Sequence, residues 1–178
     1  MRSVMLFFGA LLVTSAPALA DTLENFLPPK EGATACFRRI YDAGHLEKHK
    51  DQTVTEIRFR IAYAVFRDEE YGEQARYYAF QLLAKRRGDD RELKTSGTCS
   101  KNSEGRIFCG VECDGGGLYL EPRSAQSIVL EFGDSDGILM SASCSEDENT
   151  EVLRPGKDDK SFRLDRLPST HCPARADW

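Results

Sequence analysis

The chain has 178 residues, 40% hydrophobic and 30% charged, with 24 Lys plus Arg against 29 Asp plus Glu and a formal net charge of −5. That length suits one globular domain together with a targeting segment, and the composition excludes collagen-like, low-complexity and wholly disordered chains. The negative balance argues against a nucleic-acid partner.

The first element is residues 1–20. Arg2 gives a positive start, Val4 to Val13 a short apolar stretch, and Ala18-Leu19-Ala20 a small-residue cleavage pattern, together the features of a secretory signal peptide. Cleavage would leave Asp21 first and a secreted or periplasmic protein. The apolar stretch is about half the roughly 20 residues a spanning helix needs, and no later run reaches that length, so no membrane span is expected. Residues 21–33 then read as an N-terminal linker, 34–172 as a single disulfide-bonded β domain and 173–178 as a tail.

Within the domain, alternation of apolar and polar residues predicts strands in quick succession. Thr34 to Tyr41 is the first. Thr53 to Phe66 places Ile57, Phe59, Ile61, Tyr63 and Val65 on one parity and Glu56, Arg58 and Arg60 on the other. Arg76 to Arg86 sets Tyr78, Phe80, Leu82 and Ala84 on one face, and Gly88-Asp89-Asp90 turns it into Arg91 to Cys99. Arg106 to Cys113 follows, with an Asp114-Gly115 hairpin turn and a return at Leu118 to Leu120. Ser127 to Phe132 and Ile138 to Cys144 flank Gly133 to Gly137 as a further hairpin, and Ser161 to Leu167 is the last strand. Helices are scarce: Ala43 to Lys50 and Arg67 to Gln74 are each expected to make one turn.

Eight to nine short strands in up-and-down order predict an all-β fold, an antiparallel barrel of lipocalin-like shape, with a β-sandwich as the alternative. The likeness to lipocalins is one of strand pattern and implies no function. Inward residues such as Phe59, Phe80, Leu130 and Met140 are large, so the lumen is either filled or wide enough for one small ligand.

Six cysteines, Cys36, Cys99, Cys109, Cys113, Cys144 and Cys172, all follow the cleavage point, and an even count in an exported chain predicts three disulfides. Cys99 with Cys109 would bridge adjacent hairpin strands and Cys36 with Cys172 would staple the ends. The competing use of Cys99, Cys109, Cys113 and Cys144 as a zinc site has only one close Cys-x3-Cys pair, and no metal or other cofactor is expected.

Five patterns invite chemistry. Phe132-Gly133-Asp134-Ser135 resembles the nucleophile block of GDSL-type esterases, which would make Ser135 a nucleophile; here only 43 residues follow Ser135, and His171 lacks the Asp three positions upstream that the family pattern carries. His45 and His49 stand four apart, a helical metal spacing whose third ligand could only be His171, brought near if Cys36 and Cys172 pair. Asp134, Asp136, Glu146, Asp147, Glu148 and Asn149 offer oxygen ligands for calcium but lack its spaced loop, and read as a solvated acidic stretch. Arg87-Gly88-Asp89 spells an integrin-binding tripeptide and reads as a turn. Tyr63, Phe66, Tyr71, Tyr77, Tyr78 and Phe80 make an aromatic-rich region read as barrel-wall packing before a ligand cage.

Charge is uneven: residues 30–101 carry 15 basic and 12 acidic side chains, and 102–178 carry 8 and 15. The basic half reads as a solvated surface that an anionic partner could use. The expectation is therefore a non-enzymatic binding module for a small apolar molecule in the lumen or an envelope or secreted protein at the rim. The alternatives are a hydrolase built on Ser135 or a His45/His49 metal, and a structural envelope protein.

Overall fold

The computed structural model describes residues 23–67, 73–140 and 151–172. Ten strands appear among them: β1 (Thr34–Ile40), β2 (Val54–Arg67), β3 (Gln74–Arg86), β4 (Asp89–Lys101), β5 (Ile107–Gly110), β6 (Gly117–Ser124), β7 (Ser127–Glu131), β8 (Ile138–Met140), β9 (Glu151–Leu153) and β10 (Ser161–Arg166). Two short helices, α1 (Leu23–Phe26) and α2 (Ala43–Lys48), and a 3-10 turn at Ser169–His171 complete the set. Eight strands close into an antiparallel barrel in the order β1-β10-β7-β6-β5-β4-β3-β2, while β8 and β9 pair only with each other. The expected barrel is thus observed and the sandwich alternative is not. No helix among the described residues is long and apolar enough to cross a membrane.

The barrel closes differently from the expected chain order. Ser127 to Phe132 does not form a hairpin with the segment from Ile138: β7 pairs β6 on one side and β10 on the other, Leu130 facing Phe162 and Ile128 facing Leu164. β8 turns instead onto β9, Ile138 facing Leu153. Both choices satisfy the same alternation, and the one observed buries Phe162 and Leu164 completely while joining the last barrel strand to the first. Two boundaries also move. The β5–β6 connection is a six-residue loop in which Cys113 and Asp114 take the positive φ angles, in place of a tight Asp114-Gly115 turn. β6 is eight residues long because a register shift between Pro122 and Ser124 carries the ladder past a proline that cannot donate a hydrogen bond. The helical turn expected over Arg67 to Gln74 is not made at its ends, where Arg67 pairs with Gln74 as the last rung of β2 and β3; residues 68–72 lie outside the described residues.

Inward-facing side chains fill the barrel. Phe37, Phe59, Phe80, Phe132 and Phe162, with Ile57, Ile61, Leu82, Leu118, Ile128 and Leu130, are at most 1% exposed, which leaves no water-sized void beside them. An eight-stranded barrel is just wide enough for such a filling. Gly97 makes room for it: opposite Phe80 in register, it would place a Cβ 2.9 Å from the Phe80 ring and into the Gly110 carbonyl.

Both ends are plugged. Leu23 and Leu27, within the stretch expected to be a linker, are buried in the core, with Phe26 stacked on Phe37 and the Tyr78 hydroxyl donating to the Leu27 carbonyl at 3.0 Å. At the other end β8 and β9 bury Ile138, Met140 and Leu153 against Phe132 and the barrel, and Leu139 N–H donates to the Gly115 carbonyl. The strand ends are held by Asp159, 1% exposed, whose carboxylate accepts from the Thr53 N–H and hydroxyl, both at 2.6 Å.

Candidate interaction surface

The motifs singled out in the sequence fall at the barrel ends. The Ser135 hydroxyl donates to the Gly137 carbonyl at 2.9 Å and accepts from the Gly137 N–H at 3.4 Å, so it closes its own turn. Asp134 accepts from the Tyr119 hydroxyl at 2.9 Å, which raises the Tyr119 pKa through that hydrogen bond. Glu146, Asp147, Glu148, Asn149 and Cys144 lie outside the described residues. No group of three His, Cys, Asp or Glu side chains among the described residues is arranged to hold a metal.

α2 forms as expected, with Asp42 capping it by accepting from the His45 N–H at 2.8 Å. His45 and His49 do come together, their rings stacked with centroids 4.3 Å apart, beside Tyr41. Their ring nitrogens have protein partners: His45 Nε2 meets Gln52 Oε1 at 2.9 Å, and His49 Nδ1 lies 3.9 Å from Asp158. Burial holds the Tyr41 pKa up at about 12, against the opposing pull of Arg39. His171 does not join them. The Cys36–Cys172 bridge is made, but Cys36 is the third residue of β1 and α2 follows the far end of that strand, about 13 Å away at strand rise.

Cys99–Cys109 bridges β4 and β5 at a directly paired position, as expected. Cys113 is also disulfide-bonded, and none of the described cysteines is free. The tripeptide at Arg87 to Asp89 is spent on the fold: Arg87 donates to the Leu46 and His49 carbonyls, and Asp89 pairs with Arg86 at 3.0 Å and Arg91 at 2.9 Å. The Arg91 side-chain and backbone hydrogen bonds, then that of Arg86, hold the Asp89 carboxyl well below the usual range.

The least conventional surface is the outside of the wall formed by β1 to β4. Strand parity sends Glu56, Arg58 and Arg60 outward, and the register lines them up across the sheet in rungs. Glu56, Lys85 and Glu92 share one rung, Arg58, Leu83 and Lys94 the next, then Arg60, Gln81 and Ser96, then Ala62, Ala79 and Thr98. Glu56 is only 8% exposed, with Arg38 at 2.8 Å, Arg58 at 3.0 Å and Lys85 at 3.8 Å. Glu92 sees Arg58 at 2.7 Å, Lys85 at 3.2 Å and Lys94 at 3.7 Å. Burial pushes the Glu92 carboxyl up, but the Lys85 hydrogen bond and the charges of Arg58, Lys85 and Lys94 outweigh it and hold the pKa low. Leu83, 1% exposed on this outer face, lies between Arg58 and Lys94 in register, where long basic side chains cover apolar surface with their stems.

From Arg60 onward the wall becomes a groove of about 850 Å³, lined by Ala62, Ala79, Gln81 and Thr98 together with Tyr77 and Val111. It continues onto a two-stranded arm, because β2 and β3 stay paired out to Arg67 and Gln74 after β1 has stopped at Ala62 and β4 at Tyr78. Phe66 on this arm is 55% exposed, and Arg67 forks onto Glu31 at 2.7 and 2.8 Å. The outward parity of Glu56, Arg58 and Arg60 was visible in the sequence; Lys85, Glu92 and Lys94 join them only through the register, which alternation alone does not set.

Comparison with known proteins finds no matching family model, no similar curated protein and no similar solved structure.

Proposed function

We propose that this chain is an exported binding module that recognises a protein partner with the outside of its barrel and not a small ligand inside it. The observation that carries the reading is the filled and doubly plugged lumen: five phenylalanines at most 1% exposed occupy the interior, α1 covers one mouth and β8–β9 the other. Small-ligand sites bury most of their ligand in a preformed concavity, and a binding barrel of this width would need smaller inward side chains. The disulfides fit the oxidising compartment implied by residues 1–20.

The test is titration of the disulfide-intact protein with a fluorescent apolar probe such as aminoanthracene, alongside Phe80→Ala, which removes a ring from the interior. The reading expects no saturable binding to the wild type and a gain on opening the cavity. Saturable one-to-one binding by the wild type, displaced by a fatty acid, would overturn it.

A further inference from the structure

The outer wall of β1 to β4 changes character along its length. Arg38, Arg58, Lys85 and Lys94 surround Glu56 and Glu92, and Arg60 follows Arg58 on the same face of β2, so these seven side chains carry three more cations than carboxylates. Beyond Arg60, whose Nη1 donates to Gln81 Oε1 at 3.4 Å, the next rung shrinks to Ala62, Ala79 and Thr98 and the wall then reaches the aromatic arm. Glu112 is the carboxylate at the far wall of the groove. A cationic patch on a chain of net charge −5 is a local feature that favours an anionic partner segment.

Spacing says what kind of anion. Outward side chains recur every second residue, about 6.6 Å apart, the repeat at which an extended peptide presents side chains on one face. The groove lining sets Gln81, Ser96 and Thr98 among Ala62, Ala79, Tyr77 and Val111, and it opens to solvent. An acyl chain laid there would stay wet along one side and meet amide and hydroxyl groups below, whereas a peptide main chain uses such groups.

We propose that this wall binds an extended acidic segment of a partner protein, its carboxylates over the Arg58–Arg60–Lys94 end and its small aliphatic side chains over Ala62 and Ala79. Arg60 stands where the two halves meet and sets the register of the bound segment. The inference rests on the outer-surface reading above and names the partner chemistry for it.

The experiment uses the disulfide-intact protein on an array of extended peptides in which aliphatic residues alternate with Glu, Gln or Lys. The Glu series should be retained selectively, less so with added salt, and both Arg60→Glu and Ala79→Arg should weaken it by at least about tenfold. Ala79→Arg blocks the groove two residues from the charge cluster and keeps the test sound if Arg60→Glu folds poorly. Arg123→Glu, at the exposed end of β6 outside the groove, should bind as the wild type does. Equal retention of all three series, indifference to both groove variants, or capture by phosphatidylglycerol vesicles in preference to peptides would overturn the proposal. The first two outcomes would leave the outer-surface reading intact, which the apolar-probe titration tests separately, whereas a preference for vesicles would count against a protein partner as well.

Discussion

Asp159 accepts two hydrogen bonds from Thr53, one from the backbone N–H and one from the hydroxyl, each at 2.6 Å and across 106 residues of sequence. The Val54 N–H lies 3.4 Å from the same carboxylate. These contacts tie the loop before β10 to the start of β2, so one buried side chain fixes the mouth of the barrel where β8–β9 sits. Asp159→Ala would leave two backbone donors and a hydroxyl unpaired in a site 1% exposed, a loss of about 2–3 kcal/mol. Asp159→Asn keeps one acceptor oxygen and should lose less. Urea denaturation of the three proteins checks the order; a loss below about 0.5 kcal/mol for the alanine variant would contradict it.

Strand positions were largely legible in the sequence because alternation is a local signal: Ile57, Phe59 and Ile61 were expected inward and are fully buried. Partner choice was not. The run from Ser127 could pair with the run from Ile138 or with Phe162 and Leu164, and only closure of the barrel decides between them. Asp159 gave no signal, since either Asp in Lys157-Asp158-Asp159-Lys160 looks like any solvated loop residue. The charge ladder was half visible, as an outward Glu56-Arg58-Arg60 parity whose cross-strand partners depend on register.

The N-terminal plug is a packing device and can be removed. Leu23→Ala and Leu27→Ala each delete a side chain at most 4% exposed, and each should cost about 2–5 kcal/mol. The double variant should bind a hydrophobic dye such as ANS at the mouth that α1 vacates. Wild-type stability without dye binding would show that α1 is not part of the core.

The two assigned disulfides close loops of very different length, 136 residues for Cys36–Cys172 and 10 for Cys99–Cys109. Chain entropy predicts stabilisation of about 5 kcal/mol for the first and about 3 kcal/mol for the second. Paired alanine substitution should therefore lower the melting temperature more at Cys36 and Cys172. Cys113 is oxidised as well, so peptide mapping under non-reducing conditions should recover Cys113 in a cross-linked peptide. A free thiol at Cys113 would contradict this.

Asp89 gives a pH dependence with a definite sign. Its carboxyl is held low by Arg91 and Arg86, so the ionised form is favoured in the folded state. That contribution is present above the unfolded carboxylate pKa of about 4 and is lost as pH falls below it. Asp89→Asn should be less stable than wild type near pH 7, and the gap should narrow progressively as pH falls below about 4, closing only at about pH 1. Thermal melts across that range test it, and a gap constant with pH would contradict the assignment.

The central claim is a barrel whose inside is structural and whose outside does the binding. Native mass spectrometry of exported protein, compared with the same sample denatured, addresses it most directly. The account predicts a folded chain beginning at Asp21, six hydrogens lighter than its reduced form, with the same mass in both conditions. A stoichiometric apolar molecule present in the native spectrum and lost on denaturation would contradict it.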